Sequence, residues 1–309
     1  MSMTTGRRIA VLAAAGLQLL FSGATHAQAP FFYTVRPQGY GMRAAALAEA
    51  SSADGSDVSG MYWNPGCLVF LKNEGVLVSH VMDVSTRAQV EHLAGSVRFG
   101  HAFALGVSGV YSHEGRLELE NGPEVPLEGH GVDLAGAYAF APTLSLGVLA
   151  GFRKLTFDAE SRTTGWGQIG LFYFPSQGVS YGFVYRAARG YTYWHANQQS
   201  GVERETDLLQ NIEIGATMSY PARAEDPIVT LSLTTEKSFP GVSLFSTKGG
   251  LELLPVRFLA VRVGFKVGTL ERVARYGFGL KFGRVHIDFA AGPSRAESRF
   301  TGVSLMVNL

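Results

Sequence analysis

The stretch Leu259-Ala260-Val261-Arg262-Val263-Gly264-Phe265-Lys266-Val267 divides into two sets. Leu259, Val261, Val263, Phe265 and Val267 are apolar, while Ala260, Arg262, Gly264 and Lys266 are small or charged. Successive side chains of a strand point to opposite faces, so a period of two builds a strand with one greasy face and one small or polar face. The next two segments repeat the pattern. Tyr276, Phe278, Leu280 and Phe282 alternate with Gly277, Gly279 and Lys281, and Val285, Ile287, Phe289 and Ala291 alternate with His286, Asp288 and Ala290. A soluble barrel turns the apolar set inward, and a membrane barrel turns it to lipid. The period by itself fits both.

Working outward from this stretch, the chain after residue 74 reads as fourteen such segments: Glu74–Asp83, Gln89–Arg98, Ala102–Tyr111, Val132–Phe140, Leu144–Leu155, Gly167–Phe174, Val179–Arg186, Asn211–Tyr220, Ile228–Lys237, Thr247–Leu254, Leu259–Val267, Tyr276–Phe282, Val285–Ala291 and Gly302–Leu309. The even-numbered gaps are tight, as at Phe99–His101, Ala141–Thr143 and Gly283-Arg284, with Pro221–Pro227 the one loose case. The odd-numbered gaps include the long polar stretches Ser112–Gly131 and Ala187–Gln210. Sorting of gaps by parity is the mark of a single antiparallel membrane barrel, with short periplasmic turns and longer external loops. Three further features favour lipid. The polar face holds Gly147, Gly151, Gly182, Gly215, Gly264 and Gly279, unlike a solvated surface. Tyr111, Phe140, Phe174, Tyr220, Phe258 and Phe282 stand at segment ends, where interface girdles form. Val303, Leu305, Val307 and Leu309 alternate to the last residue, as a closing strand would. The expected fold class is all-β, a fourteen-stranded antiparallel transmembrane β-barrel. Arg at Val263 should then be harmful and Arg at Gly264 largely tolerated.

Residues 1–27 read as a secretory signal peptide. Arg7 and Arg8 form the basic part, Ile9–Phe21 the apolar part, and Thr25-His26-Ala27 the cleavage site. The apolar part is too short to span a bilayer as a helix. Charged residues make up 17% of the chain, against about 25% in soluble globular proteins. A net charge of +1 argues against a nucleic-acid partner. Cys67 is the one cysteine, so there is no disulfide framework. It reads as a small buried hydrophobe, with a reactive or intermolecular role as the alternative.

Residues 28–73 do not alternate. Gly39-Tyr40-Gly41-Met42-Arg43-Ala44-Ala45-Ala46 leads to an Asp-rich stretch with Asp54 and Asp57, then to Met61-Tyr62-Trp63-Asn64-Pro65-Gly66-Cys67-Leu68. Ala44–Ala50 has the composition of a short helix, and Asn64-Pro65-Gly66 that of a turn. The apolar residues here need burial, which favours a compact plug over a mobile periplasmic tail. The pattern of Gly39, Gly41, Met42, Tyr62, Trp63, Asn64, Pro65 and Leu68 resembles the N-terminal hatch of the FadL superfamily, most nearly its PorV/PorQ type of outer-membrane protein. The usual Asn-Pro-Ala-Gly-Leu reads Asn64-Pro65-Gly66-Cys67-Leu68, so the glycine is moved. The resemblance implies a hatch over 28–73 and a barrel of fourteen strands over 74–309. It also implies one of two roles: a component of type IX-like protein secretion, or a hatch-gated channel for hydrophobic molecules.

Charges of both signs fall on the small-residue face: Arg153, Arg186, Glu213, Arg262, Lys266, Lys281 and Asp288. They are expected to face the lumen, and to be paired or hydrated there. That inventory suits a plugged or wet interior better than a greasy channel. Tyr191, Tyr193 and Trp194 make Ala187–Gln210 the most aromatic of the gaps, either an interface girdle or a protein-binding loop. His286 with Asp288, and His80 with Asp83, place no serine beside a base, so lumen polar networks are the better reading than hydrolysis. No HExxH, CxxC, phosphate-loop or calcium-loop pattern occurs, so neither metal nor cofactor is expected. The sequence thus points to a non-enzymatic protein of a Gram-negative outer membrane, in contact with its lipid. Secretion or envelope proteins are the favoured partners, a hydrophobic ligand is the alternative, and a purely structural role is a third.

Overall fold

The computed structural model describes residues 41–71, 74–84, 87–118, 124–157, 160–196, 199–205, 209–222, 227–239, 244–268, 272–293 and 299–309. The signal-peptide reading and Gly39 lie outside the described residues. Two short helices, α1 (Met42–Ala46) and α2 (Gly60–Trp63), and a 3-10 turn over Pro65–Phe70 come first. The strands follow as β1 (Gly75–Asp83), β2 (Gln89–Phe99), β3 (Phe103–Glu118), β4 (Glu124–Ala141), β5 (Leu144–Phe157), β6 (Glu160–Ser176), β7 (Val179–Ala196), β8 (Gln199–Glu205), β9 (Leu209–Tyr220), β10 (Val229–Phe239), β11 (Leu244–Val256), β12 (Leu259–Gly268), β13 (Arg272–Phe282), β14 (Val285–Pro293) and β15 (Arg299–Asn308).

Each barrel strand pairs antiparallel with the next, and β1 closes on β15 from Gly75 opposite Asn308 to Asp83 opposite Phe300. The terminal alternation of β15 therefore supplies the closing pair, which leaves neither strand edge open to lipid. Fourteen strands go round. The fifteenth, β8, pairs with the outer end of β7 from Tyr191 to Ala196, while the lower part of β7 pairs with β9. Tyr191, Tyr193 and Trp194 consequently lie in a strand and not in a loop, a correction to the sequence reading. Ladder pairing with β8 and β6 extends β7 past the apolar belt, where the two-residue hydrophobic period fades. β3 and β4 run on in the same way, to Glu118 opposite Glu124.

The apolar set faces outward. Val261, Val263 and Phe265 are 45%, 48% and 49% exposed, while Arg262 and Lys266, of the opposite parity, are each 6% exposed. A surface of this kind is stable against lipid, not water, because a continuous apolar belt in water would drive association. An exposed aromatic ring marks the short-turn end, with Phe99 beside Phe103 at 6.0 Å and Tyr173 beside Tyr181 at 6.3 Å between ring centres. Phe174 does not belong to it. A register shift between Tyr173 and Ser176 leaves Phe174 half-buried and stacked on Phe70 at 6.5 Å.

Candidate functional site

Residues 41–71 fill the lumen, and their course explains why the inner face is so rich in glycine. A Cβ on Gly147, Gly182 or Gly264 would overlap the backbone of the inner segment, at Pro65, Ser52 and Leu47 respectively. A Cβ on Gly250 would stand 2.8 Å from the Leu47 Cβ. Small residues on the polar face thus let a second backbone lie against the wall. Gly151 and Gly279 serve differently, leaving room for Asp133 with Trp166 and for Asp288 with Arg262. Arg at Gly264 is therefore not tolerated as the alternation suggested. The residue faces the lumen as expected, but the lumen is occupied.

The motif residues have specific places. Gly41 has φ +78° and packs so near the Ser59 hydroxyl that a Cβ would come within 2.6 Å, so both conformation and space require glycine. Met42 is fully buried, and its N–H donates to the Ser304 hydroxyl at 3.3 Å. The Asn64 amide donates to the Ser52 carbonyl at 2.8 Å and the Leu171 carbonyl at 3.1 Å, and its oxygen accepts the Gly66 N–H at 3.0 Å. One side chain so caps the 3-10 turn and ties it to β6. Pro65 opens that turn, where a missing N–H costs nothing. The moved glycine is explained as well, because a Cβ on Gly66 would lie 2.7 Å from the Gly170 carbonyl oxygen. Cys67 is fully buried, and burial raises its thiol well above the ordinary range. It packs as the small hydrophobe that composition suggested.

The lumen has two unlike sides. On the β9–β15 side the segment is held by buried ion pairs. Arg43 grips Glu252 with two bonds, at 3.0 and 3.1 Å, and also pairs with Asp54. Arg262 joins Glu252 to Asp288, the latter at 2.6 Å. Ala48 and Glu49 both take left-handed backbone conformations, with φ of 52° and 67°. That unusual turn delivers Glu49 to Arg275 at 2.8 Å and towards Lys248 at 3.8 Å. Lys248 continues to Glu236 at 2.9 Å and Glu213 at 3.5 Å, and Arg186 reaches Glu213 at 3.3 Å. Breaking one such buried pair by removing a partner costs about 3–5 kcal/mol, so this side is fixed.

On the β1–β6 side the contact is mainly apolar. Met61, Tyr62, Trp63, Leu68, Val69 and Leu71 pack against Leu77, Ala94, Ala104, Ala135, Ala137, Leu149, Trp166 and Phe172. Tyr62 meets Trp63 and Trp166 edge-on at 5.2 and 5.3 Å. Neutral hydrogen bonds position the segment here: Ser145 donates to the Gly66 carbonyl at 2.5 Å, and Gln168 donates to the Met61 and Tyr62 carbonyls at 3.2 and 2.9 Å. Beyond the segment, Asp133 gathers Arg153 at 2.6 Å, Ser108 at 2.8 Å and the Trp166 N–H at 3.1 Å.

Six of the seven residues assigned to the lumen from alternation, Arg153, Arg186, Glu213, Arg262, Lys266 and Asp288, are buried inside. Lys281 is half-buried at the short-turn end, where it lines a pocket of about 110 Å3 with Ser56, Asp57, Phe258 and His286. The reading missed Arg43, Glu49, Lys248, Glu252 and Arg275. Arg43 and Glu49 sit in a segment with no period. Lys248 and Glu252 fall on the inner parity of the segment already read as Thr247–Leu254, and Arg275 on that of its strand one residue before Tyr276, so the alternation itself carries them.

No family model matches the chain, and no curated protein matches it by sequence. Solved structures share its fold. The CymD monoaromatic hydrocarbon channel superposes with a TM-score of 0.65 at 15% identity, over 88% of this chain and 98% of that one. The Ralstonia pickettii toluene transporter TbuX gives 0.60 at 15% identity, over 88% and 99%. A Pseudomonas aeruginosa FadL homologue gives 0.58 at 10% identity, over 86% and 98%. At these identities the likeness is one of fold.

Proposed function

We propose that this chain is an outer-membrane channel for neutral hydrophobic small molecules, a member of the FadL superfamily closed at rest by the hatch segment 28–73. The reading is carried by one observation: a barrel of the fold seen in hydrocarbon transporters has its lumen filled by a segment of the same chain. In this account the short turns face the periplasm, the apolar belt sits in the lipid, and the solute undergoes no chemistry. The charged residues hold the hatch in place and do not line a route for ions.

Type IX-like secretion is the less supported reading. It rests on the Tyr62-Trp63-Asn64-Pro65 form, a mature chain short for fourteen strands and a charged lumen, with the aromatic stretch Tyr191 to Trp194 as the docking loop it would use. Asn64 is engaged in tying the segment to β6, the lumen charges are engaged with one another, and Tyr191 to Trp194 belong to a strand. The likenesses of fold run to hydrocarbon channels and none of those cited is a secretion protein. Purification from native membrane, followed by mass spectrometry of everything bound, tests the choice. The channel reading expects a hydrophobic small molecule without a stoichiometric protein. A stoichiometric secreted or envelope protein without such a molecule would overturn it.

A further inference from the structure

The two sides of the inner segment differ in what could replace them. On the β9–β15 side the partners of Arg43 and Glu49 are charged groups, which an uncharged solute cannot stand in for. On the β1–β4 side the partners are apolar, and apolar contact is non-directional, so a solute of similar polarity can take the place of a side chain. The wall there is Ala94, Ala104, Gly106, Ala135 and Ala137, and the segment meets it with Met61 and Leu68. Methionine is unbranched and repacks readily. The neutral tethers of this half of the segment run to β5 and β6, through Ser145, Gln168 and the Leu171 carbonyl. At the short-turn end Arg98 adds one bond from β2, to the Val69 carbonyl at 3.2 Å.

Resting on the channel reading, we propose that the solute passes along the seam between Met61–Leu71 and the β1–β4 wall, while the ion-paired half of the segment stays in place. The segment then swings from its tethers on β5 and β6, giving up the Arg98 bond to Val69 while Arg98 keeps its pair with Glu74 at 2.7 Å. Selectivity follows: an uncharged aromatic or aliphatic molecule is accepted, and a carboxylate of the same size is refused, because the alanine wall offers it no partner.

Two staples in a Cys67→Ser background test this. Leu68→Cys with Gly106→Cys closes the seam, since the Leu68 side chain ends 3.5 Å from the Cβ position at Gly106. Ser52→Cys with Thr234→Cys pins the ion-paired half, where the two hydroxyl oxygens face each other at 2.9 Å. Uptake of radiolabelled toluene is measured on cells carrying each variant, oxidised and then reduced. The seam staple should lower uptake to that of cells without the barrel, with recovery on reduction, and the second staple should leave uptake intact. If unstapled protein carries toluene but the effects of the two staples are reversed, or both are silent, the seam is wrong and the channel stands. If unstapled protein carries none, the channel reading itself fails. Where the seam staple does not close, Trp194→Phe protein leaves Trp63 and Trp166 as reporters beside the seam. Bromobenzene should quench them saturably and iodide should not. Absence of bromobenzene quenching in a protein that carries toluene would overturn the seam.

Discussion

Adding one methyl group at Gly264 tests the idea that the inner wall is glycine-rich because a second backbone lies on it. The new Cβ would overlap the Leu47 carbonyl carbon and the Ala48 nitrogen, and would stand 2.8 Å from the Ala46 carbonyl oxygen. Carbon atoms settle at about 3.5–4.0 Å, so the segment must retreat from β12 by on the order of 1 Å. It cannot do so freely, because Arg43 is held to Glu252 and Glu49 to Arg275 on either side of the clash. Overpacking of this sort costs about 1–3 kcal/mol. At tenfold per 1.4 kcal/mol, the population with a displaced segment should rise roughly 5- to 140-fold. The barrel itself keeps its ladder, so heat-modifiable migration on gels should survive while proteolysis within residues 41–71 quickens. Gly165→Ala is the control, since a Cβ there meets nothing within 4 Å. If Gly264→Ala protects the segment as well as Gly165→Ala does, the close-approach argument is refuted.

Val263→Arg puts a charge on the lipid face at the middle of β12 and should cost about 2–4 kcal/mol, read as loss of the heat-modifiable folded band. A folded band of ordinary strength would contradict the outward assignment of the apolar set. Asn64→Ala strands the Gly66 N–H and two carbonyls, on the order of 3 kcal/mol, and should lower the urea midpoint of the folded protein. Asn64→Asp should do no better, because a carboxylate cannot donate to the Ser52 and Leu171 carbonyls. Cys67 should resist maleimide at pH 8 in the folded protein, since burial raises its thiol and the thiolate is the reactive form. Labelling as fast as in urea would place Cys67 outside the packed segment.

The barrel was legible because lipid and lumen impose opposite demands on alternate residues, and that demand persists through every strand. The boundaries at Leu144, Val179, Leu259 and Val285 match the sequence reading because a tight turn punctuates each. β7 and β8 were not legible beyond Arg186: above the lipid the outer face is no longer forced to be apolar, so Gly190–Ala196 carries no period though Tyr191–Trp194 pairs on both sides. The inner segment was legible as a plug from its apolar content, but not its docking. Gly147, Gly182 and Gly264 show no sign in one dimension that Pro65, Ser52 and Leu47 lie on them. Nor do Arg43 and Glu49 reveal partners about two hundred residues away, at Glu252 and Arg275. A charged lumen read without those pairings left a plugged and a wet interior equally open, whereas on the β9–β15 side these charges hold the segment.

Paired uptake of radiolabelled toluene and benzoate by cells with and without the barrel tests the central claim most directly. The two probes are similar in size and differ in charge. The account predicts that the barrel raises toluene uptake and leaves benzoate at background. Equal gain for both, or none for toluene, would contradict a channel for neutral hydrophobic molecules.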